Sequence, residues 1–385
     1  MERKPLPFSA LYVHVPFCSP RKCPYCDFHS ITGDAVQHFR YLCALQKELA
    51  LHPAPTGLQT VYIGGGTPTA LEDPLLLDAF LLAITAFAKS GGASPVEFTV
   101  EANPNSLTED KLACFMRYGV DRISLGVQSF SDKSLKALGR SHSSREVERA
   151  LQFIRQSGIA NFSVDLISDV PESSRSEWVT DLEQAVQSGA SHISCYSLTY
   201  EPGTQMELRM RKGLIEPIDD DESAQRMLLT ASYLGDRGFE RYEISNYARK
   251  GRYSKHNGIY WRNGTYLGLG PSAVSFDGVT RRTNSSDFED YCDALEAGKL
   301  PVVFQESLDQ DRFAGETAML MLRRRRGIDV AEFIEVTGLN PLEYYFGVIN
   351  RLETDGLLIV DASSIRVPDD RVPVLDSIAA EFLEH

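Results

Sequence analysis

The chain has 385 residues, 43% of them hydrophobic and 24% charged, which is enough for a sizeable core and two or three domains. Its formal net charge of −14 opposes non-specific attraction to nucleic acid or anionic lipid, so no nucleic-acid partner is expected. No apolar run is long enough to span a bilayer, and Met1–Ala10 lacks the apolar stretch of a secretion signal, so a cytoplasmic protein is expected.

The first predicted strand, Leu11–Phe17, runs straight into a loop carrying Cys18, Cys23 and Cys26. Three thiols within nine residues can converge on one metal centre. A helix follows, with Val36, Phe39, Leu42, Leu45 and Leu49 at spacings of three and four. Five more β-rich runs come next: Thr60–Gly64, Val96–Glu101, Arg122–Val127, Asn161–Ile167 and His192–Leu198. Capping boxes at Ser106…Glu109, Ser143…Glu146 and Ser174…Glu177 mark helix starts between them. Strand and helix alternate six times, which predicts an α/β fold with parallel strands. Six units fall short of a closed eight-stranded barrel, so an open, partial (βα)6 TIM-type barrel is expected.

Chemistry in such barrels sits at the carboxyl ends of the strands. The cysteines follow the first strand and Gly64-Gly65-Gly66-Thr67-Pro68 follows the second. Glu101 ends the third, Gln128 follows the fourth and Asp165 lies late in the fifth. Past residue 205 the rhythm breaks. A helix is predicted over Ser223–Arg237, then an irregular Tyr-, Asn- and Gly-rich region to about residue 285. From about residue 305 a small, mainly helical C-terminal module ends in a hairpin, Leu357–Val360 and Ile365–Val367. The expected domains are 1–205, 206–300 and 301–385. Cys43, Cys114, Cys195 and Cys292 are scattered, as reduced structural cysteines are.

The cysteine loop alone allows two readings. His29 supplies a fourth ligand for structural zinc; alternatively, three thiolates hold a four-iron cluster and leave one iron open. The glycine-rich loop and the polar strand ends favour the cluster, because a nucleoside cofactor needs close backbone approach and fixed carboxylates.

The strings LYVHVPFC, KCPYCDF, GGGTPT, EANP, RISLGVQSF, LGRSH and VDLI resemble the radical S-adenosylmethionine enzymes, and within them the oxygen-independent coproporphyrinogen III oxidase family. The resemblance implies a [4Fe-4S] cluster on Cys18, Cys23 and Cys26, with S-adenosylmethionine on the open iron. It also implies S-adenosylmethionine contacts from Tyr12, Gly65, Gly66, Thr67, Glu101, Gln128, Arg140 and Asp165, and places Tyr25 beside the cluster. Two positions depart from the pattern. Four residues, not three, separate Cys18 from Cys23, and Asp169 stands where a glycine is usual.

Phe28 occupies the position of a further oxidase cysteine, and Ser254–Trp261 contains His256-Asn-x-x-Tyr260-Trp261. Both features resemble the heme chaperone subgroup. That subgroup implies heme as a ligand and a heme acceptor protein as partner, with coproporphyrinogen oxidation as the alternative. His256 is a candidate heme-iron ligand beside the flat surfaces of Tyr260 and Trp261, or else a hydrogen-bonded corner of the core. The run Arg323–Arg326 reads as a solvated helix end, since consecutive helical residues point different ways.

Overall fold

The computed structural model describes residues 3–383. Six strands, β1 (Ala10–Val15), β2 (Thr60–Gly65), β3 (Glu97–Ala102), β4 (Arg122–Gln128), β5 (Asn161–Ser168) and β6 (His192–Ser197), lie side by side in chain order. All five neighbouring pairs are parallel. Helices α1 (Ala35–Leu51), α2 (Pro74–Ser90), α3 (Glu109–Arg117), α4 (Asp132–Ala137), α5 (Ser144–Ser157) and α6 (Arg175–Gln187) fill the connections. This is the α/β partial barrel that the strand and helix rhythm predicts.

Side chains alternate across a strand, so each strand has two faces. Leu11, Val13, Val61, Ile63, Val100, Ile123, Val164 and Ile193 face a continuous core that includes Leu45, Phe80, Leu81, Phe115, Leu151 and Leu182 from the helices. The alternate positions carry Tyr12, His14, Tyr62, Glu101, Ser124, Ser163, Asp165 and His192.

Two of the capping boxes form as expected, at Ser143 and Ser174. The third does not. Thr108 caps α3 by accepting from Lys111 N–H, while Ser106 Oγ pairs with Thr69 Oγ1 at 2.7 Å.

The region read as irregular builds both edges of the sheet. Strands β7 (Glu240–Arg241) and β8 (Asn246–Ala248) extend it beyond β6. On the other edge, β9 (Tyr266–Leu269) lies parallel to β1, and β10 (Val274–Phe276), β11 (Thr280–Asn284) and β12 (Val302–Ser307) continue antiparallel. These strands are two to six residues long and interrupted by glycine, which hides them from a periodicity reading. Gly268 is required there, because a Cβ would stand 2.1 Å from the Val274 carbonyl oxygen.

A helix spans Asp220–Gly235, starting three residues before the predicted one because Asp219 caps it. Toward the C-terminus, helices Gln310–Leu322, Val330–Thr337 and Phe346–Thr354 pack with a three-stranded sheet, β13 (Ile328–Asp329), β14 (Ile359–Val360) and β15 (Ser364–Arg366). They share a separate core that includes Met321, Phe333, Ile349, Ile365 and Phe382. The predicted hairpin is β14–β15. All seven cysteines are free. Among the described residues no helix is long and apolar enough to cross a membrane.

Glu48 on α1 ties the barrel to its added edge. Its carboxylate accepts from Gly270 N–H at 2.9 Å, Asn284 Nδ2 at 2.7 Å and Tyr291 OH at 2.7 Å. Burial pushes its pKa up from 4.5 to about 7. The folded state therefore holds this proton to higher pH than the unfolded chain, and stability falls as pH rises from about 4.5 to about 7. In urea unfolding series, Glu48→Gln is expected to remove a pH-dependent loss of about 3 kcal/mol across that window. An unchanged slope would contradict the assignment.

Candidate functional site

The cysteine loop is held by backbone. Cys18 N–H donates to Ile31 O at 2.9 Å, Ile31 N–H to Pro16 O at 2.7 Å and Met206 N–H to Pro24 O at 2.9 Å. The loop after β2 docks beside it, with Gly66 N–H on Val15 O at 2.8 Å and Thr67 N–H on Phe17 O at 2.7 Å. A Cβ on Gly66 would stand 2.5 Å from the Phe17 carbonyl oxygen, so only glycine permits this approach. Gly65 has φ +105°, in the region that favours glycine.

Arg140 spans the site. Its Nη1 donates to Cys23 Sγ at 2.9 Å and to Tyr25 OH at 3.2 Å, while Nη2 donates to Gly126 O at 3.2 Å. Tyr25 packs against the cluster of Leu138, Ile167, Val170 and Leu198. The arginine thus joins the end of β4 to the cysteine loop and sets a cation against a thiol.

Burial pushes Cys26 up to about 11 and raises Cys18 as well. These thiols keep their protons at neutral pH unless a metal replaces them. Among the described residues no three His, Cys, Asp or Glu side chains converge closely enough for a single metal ion. Three thiolates from one loop leave one iron of a four-iron cluster open, whereas structural zinc takes four protein ligands. The His29 carbonyl accepts from His14 Nε2 at 2.8 Å, while the imidazole's own buried Nε2 has no hydrogen-bond partner.

The polar strand ends meet on the same rim. Glu101 accepts from Tyr62 OH at 2.7 Å and Gly65 N–H at 3.2 Å. Burial, with Asp165 nearby, pushes Glu101 up to about 7. A Cβ on Gly64 would meet that carboxyl group at 2.8 Å. Asp165 accepts from Ser124 Oγ and Ser163 Oγ, each at 2.8 Å. Tyr12 OH lies 3.1 Å from His14 Nδ1. Because His14 Nε2 carries the proton toward His29 O, Nδ1 accepts from Tyr12. Gln128 has φ +69° at the bulge between Gly126 and Gln128 in the β4–β5 pairing. All the strand-end residues singled out in the sequence therefore gather at the carboxyl ends of β1–β5.

Other members carry no role in the sequence reading. His142 donates from Nε2 to Val127 O at 3.0 Å, with Nδ1 3.2 Å from Asn103 Oδ1. Both residues sit in strings that carry the family resemblance. A second set descends the barrel interior from Asp165. Ser163 Oγ lies 2.9 Å from His192 Nδ1, and His192 Nε2 lies 2.8 Å from Tyr242 OH. The period-two spacing of Ser163 and Asp165 was the available signal.

Asp169 makes its turn without glycine, and two expectations resolve differently. Asp169 adopts φ +60° in place of glycine, and it is anchored by Ser223 Oγ at 2.7 Å and by Arg226 at 3.9 Å. His256 is 1% exposed, and both ring nitrogens are engaged, with Thr60 Oγ1 at 2.8 Å and Tyr260 OH at 2.9 Å. Burial lowers its pKa to about 3. This imidazole has no free nitrogen for heme iron, which corrects the ligand expectation in favour of the core reading. The Arg323–Arg326 run is no helix end splayed around an axis. The helix stops at Leu322, and the turn that follows directs Arg324, Arg325 and Arg326 into one cavity.

A model of the Radical SAM superfamily matches residues 12–185, and one of the HemN C-terminal domain matches residues 308–370. The chain is 32% identical over 363 residues to "Heme chaperone HemW" of Bacillus subtilis, covering 92% of this chain and 93% of that protein. It is 37% identical over 300 residues to the Escherichia coli protein of that name, covering 73% and 74%. Similarity extends to the mouse "Radical S-adenosyl methionine domain-containing protein 1, mitochondrial", 37% identical over 97% of this chain and 87% of that protein. Among solved structures, the coproporphyrinogen III oxidase HemN of Escherichia coli superposes with a TM-score of 0.81, at 21% identity, over 99% of this chain and 91% of that one, a likeness of fold. The chain belongs to the HemW family of the Radical SAM superfamily.

Proposed function

We propose that this protein is a heme chaperone, binding heme and passing it to an acceptor protein in the cytoplasm. The observation that carries the reading is the match to a heme chaperone over more than nine-tenths of both chains. The likeness to coproporphyrinogen oxidase, at 21% identity, speaks for the scaffold alone. Phe28 adds support. It stands two positions after Cys26, is 60% exposed, and offers no sulfur where an oxidase is expected to carry one.

In this reading Cys18, Cys23 and Cys26 would hold a [4Fe-4S] cluster, and Arg140 would balance thiolate charge at Cys23 while fixing Tyr25 against the loop. The cluster, with S-adenosylmethionine on its open iron, supplies one-electron chemistry when bound. Tyr12, Gly65, Gly66, Thr67, Glu101, Gln128 and Asp165 would receive the nucleoside and its amino-acid tail. The two carboxylates can accept from amino or hydroxyl groups, and the glycines keep the β2 loop backbone within reach. Tyr62, Ser124 and Ser163 orient the carboxylates.

Anaerobic reconstitution is expected to give about four iron and four sulfide per chain, with Cys23→Ser well below that. Zinc without sulfide would contradict the cluster. Titration with heme is expected to shift the Soret band at one heme per chain, and the loaded protein to pass heme to an apo-heme protein. Conversion of coproporphyrinogen III to protoporphyrinogen, given S-adenosylmethionine and a reductant, would favour an enzyme instead.

A further inference from the structure

A cavity of about 860 Å³ opens where β2 and β3 begin, near Thr60 and Val96. This is the amino end of the barrel, opposite the cysteine loop. Its size suits an organic cofactor. Its charge runs against that of the chain, since seven cationic side chains but only two carboxylates line it, in a protein of net charge −14.

The arginines are only partly compensated. Glu332 pairs with Arg324 and Arg326 and lies 3.9 Å from Arg262. Asp369 pairs with Arg241 and Arg325, and Asp329 lies 3.9 Å from Arg326. Five guanidinium groups therefore share three carboxylates. Arg366, also in the wall, has no ion pair among the described residues. Planar guanidinium forks match carboxylates in pairs of hydrogen bonds, so the surplus favours an acid-bearing ligand.

The rest of the wall is aromatic. Tyr242 and Tyr253 stack with centroids 4.6 Å apart at 21°, and Trp261 lines the cavity with its buried Nε1 lacking an acceptor.

We propose that this cavity is the heme-docking site, with Arg325, Arg326 and Arg366 pairing the propionates while Trp261 and the tyrosine pair cover the macrocycle. The proposal deepens the heme-chaperone reading and rests on it. It gives Trp261 of the His-Asn-x-x-Tyr-Trp string a direct contact. His256 then acts as support beneath the cavity floor, through Thr60. Arg325 and Arg326 side chains are 53% and 56% exposed, so replacing them leaves both cores intact.

The test is heme titration of the full chain, wild type against Arg325→Ala/Arg326→Ala, with Trp261→Phe as a second variant and cluster content and circular dichroism as controls for folding. The double variant is expected to bind heme at least about tenfold more weakly, from loss of charge-assisted hydrogen bonds. Wild type is expected to bind heme dimethyl ester, whose propionates are blocked, as weakly as the double variant binds heme. Trp261→Phe keeps the flat surface and is expected to weaken binding less. Wild-type affinity in the folded double variant, or equal affinity of wild type for heme and its ester, would overturn the docking site and leave the chaperone reading standing. A wild-type protein that takes up no heme would overturn that reading itself.

Discussion

Side chains on the inner face of β1–β6 are polar, and that constraint organises the molecule. Parallel strands packed on both sides are usually apolar on both faces. Here Tyr12, His14, Tyr62, Glu101, Ser124, Ser163, Asp165 and His192 alternate with the aliphatic residues that face the helices. Buried polar groups need partners, and these find them mostly in each other. Glu101 holds Tyr62, Asp165 holds two serines, and Ser163 leads to His192 and Tyr242. Such an interior is held together by hydrogen bonds rather than by apolar packing.

The two ends of the barrel then differ in kind. The carboxyl end brings three thiols, one arginine and two carboxylates together around glycine-shaped loops. The amino end opens on a cavity rich in arginine and aromatic rings. Six residues of strand separate them, on the order of 20 Å. A ligand held at the amino end lies out of direct reach of chemistry at the rim, which suits a protein that carries its ligand rather than transforming it. The polar set from Asp165 through Ser163 and His192 to Tyr242 joins the two ends, because Tyr242 also lines the cavity.

Much of this was legible in the sequence. Strands β1–β6 announced themselves through runs such as Asn161–Ile167, where β-branched and aromatic residues alternate with polar ones. The rim residues followed once the strand ends were placed. What escaped was structure without periodicity. Strands β7–β12 are short and lean on backbone approaches such as Gly268 against Val274. The arginine run reads as a helix end because no strong breaker lies between the end of its helix at Leu322 and Gly327, so the chain pattern carries no sign of a turn aimed into a cavity. His256 looked like a ligand because residue type is visible in sequence, while the Thr60 and Tyr260 partners that occupy its nitrogens come from tertiary packing.

The most direct check on this arrangement is crystallography of the anaerobic holoprotein loaded with heme, with iron located by anomalous scattering. This arrangement requires two separate iron centres at opposite ends of the barrel, one at Cys18, Cys23 and Cys26 and the other beside Trp261 and the Arg324–Arg326 turn. Heme iron lying at the carboxyl rim, against the cysteine-bound cluster, would contradict it.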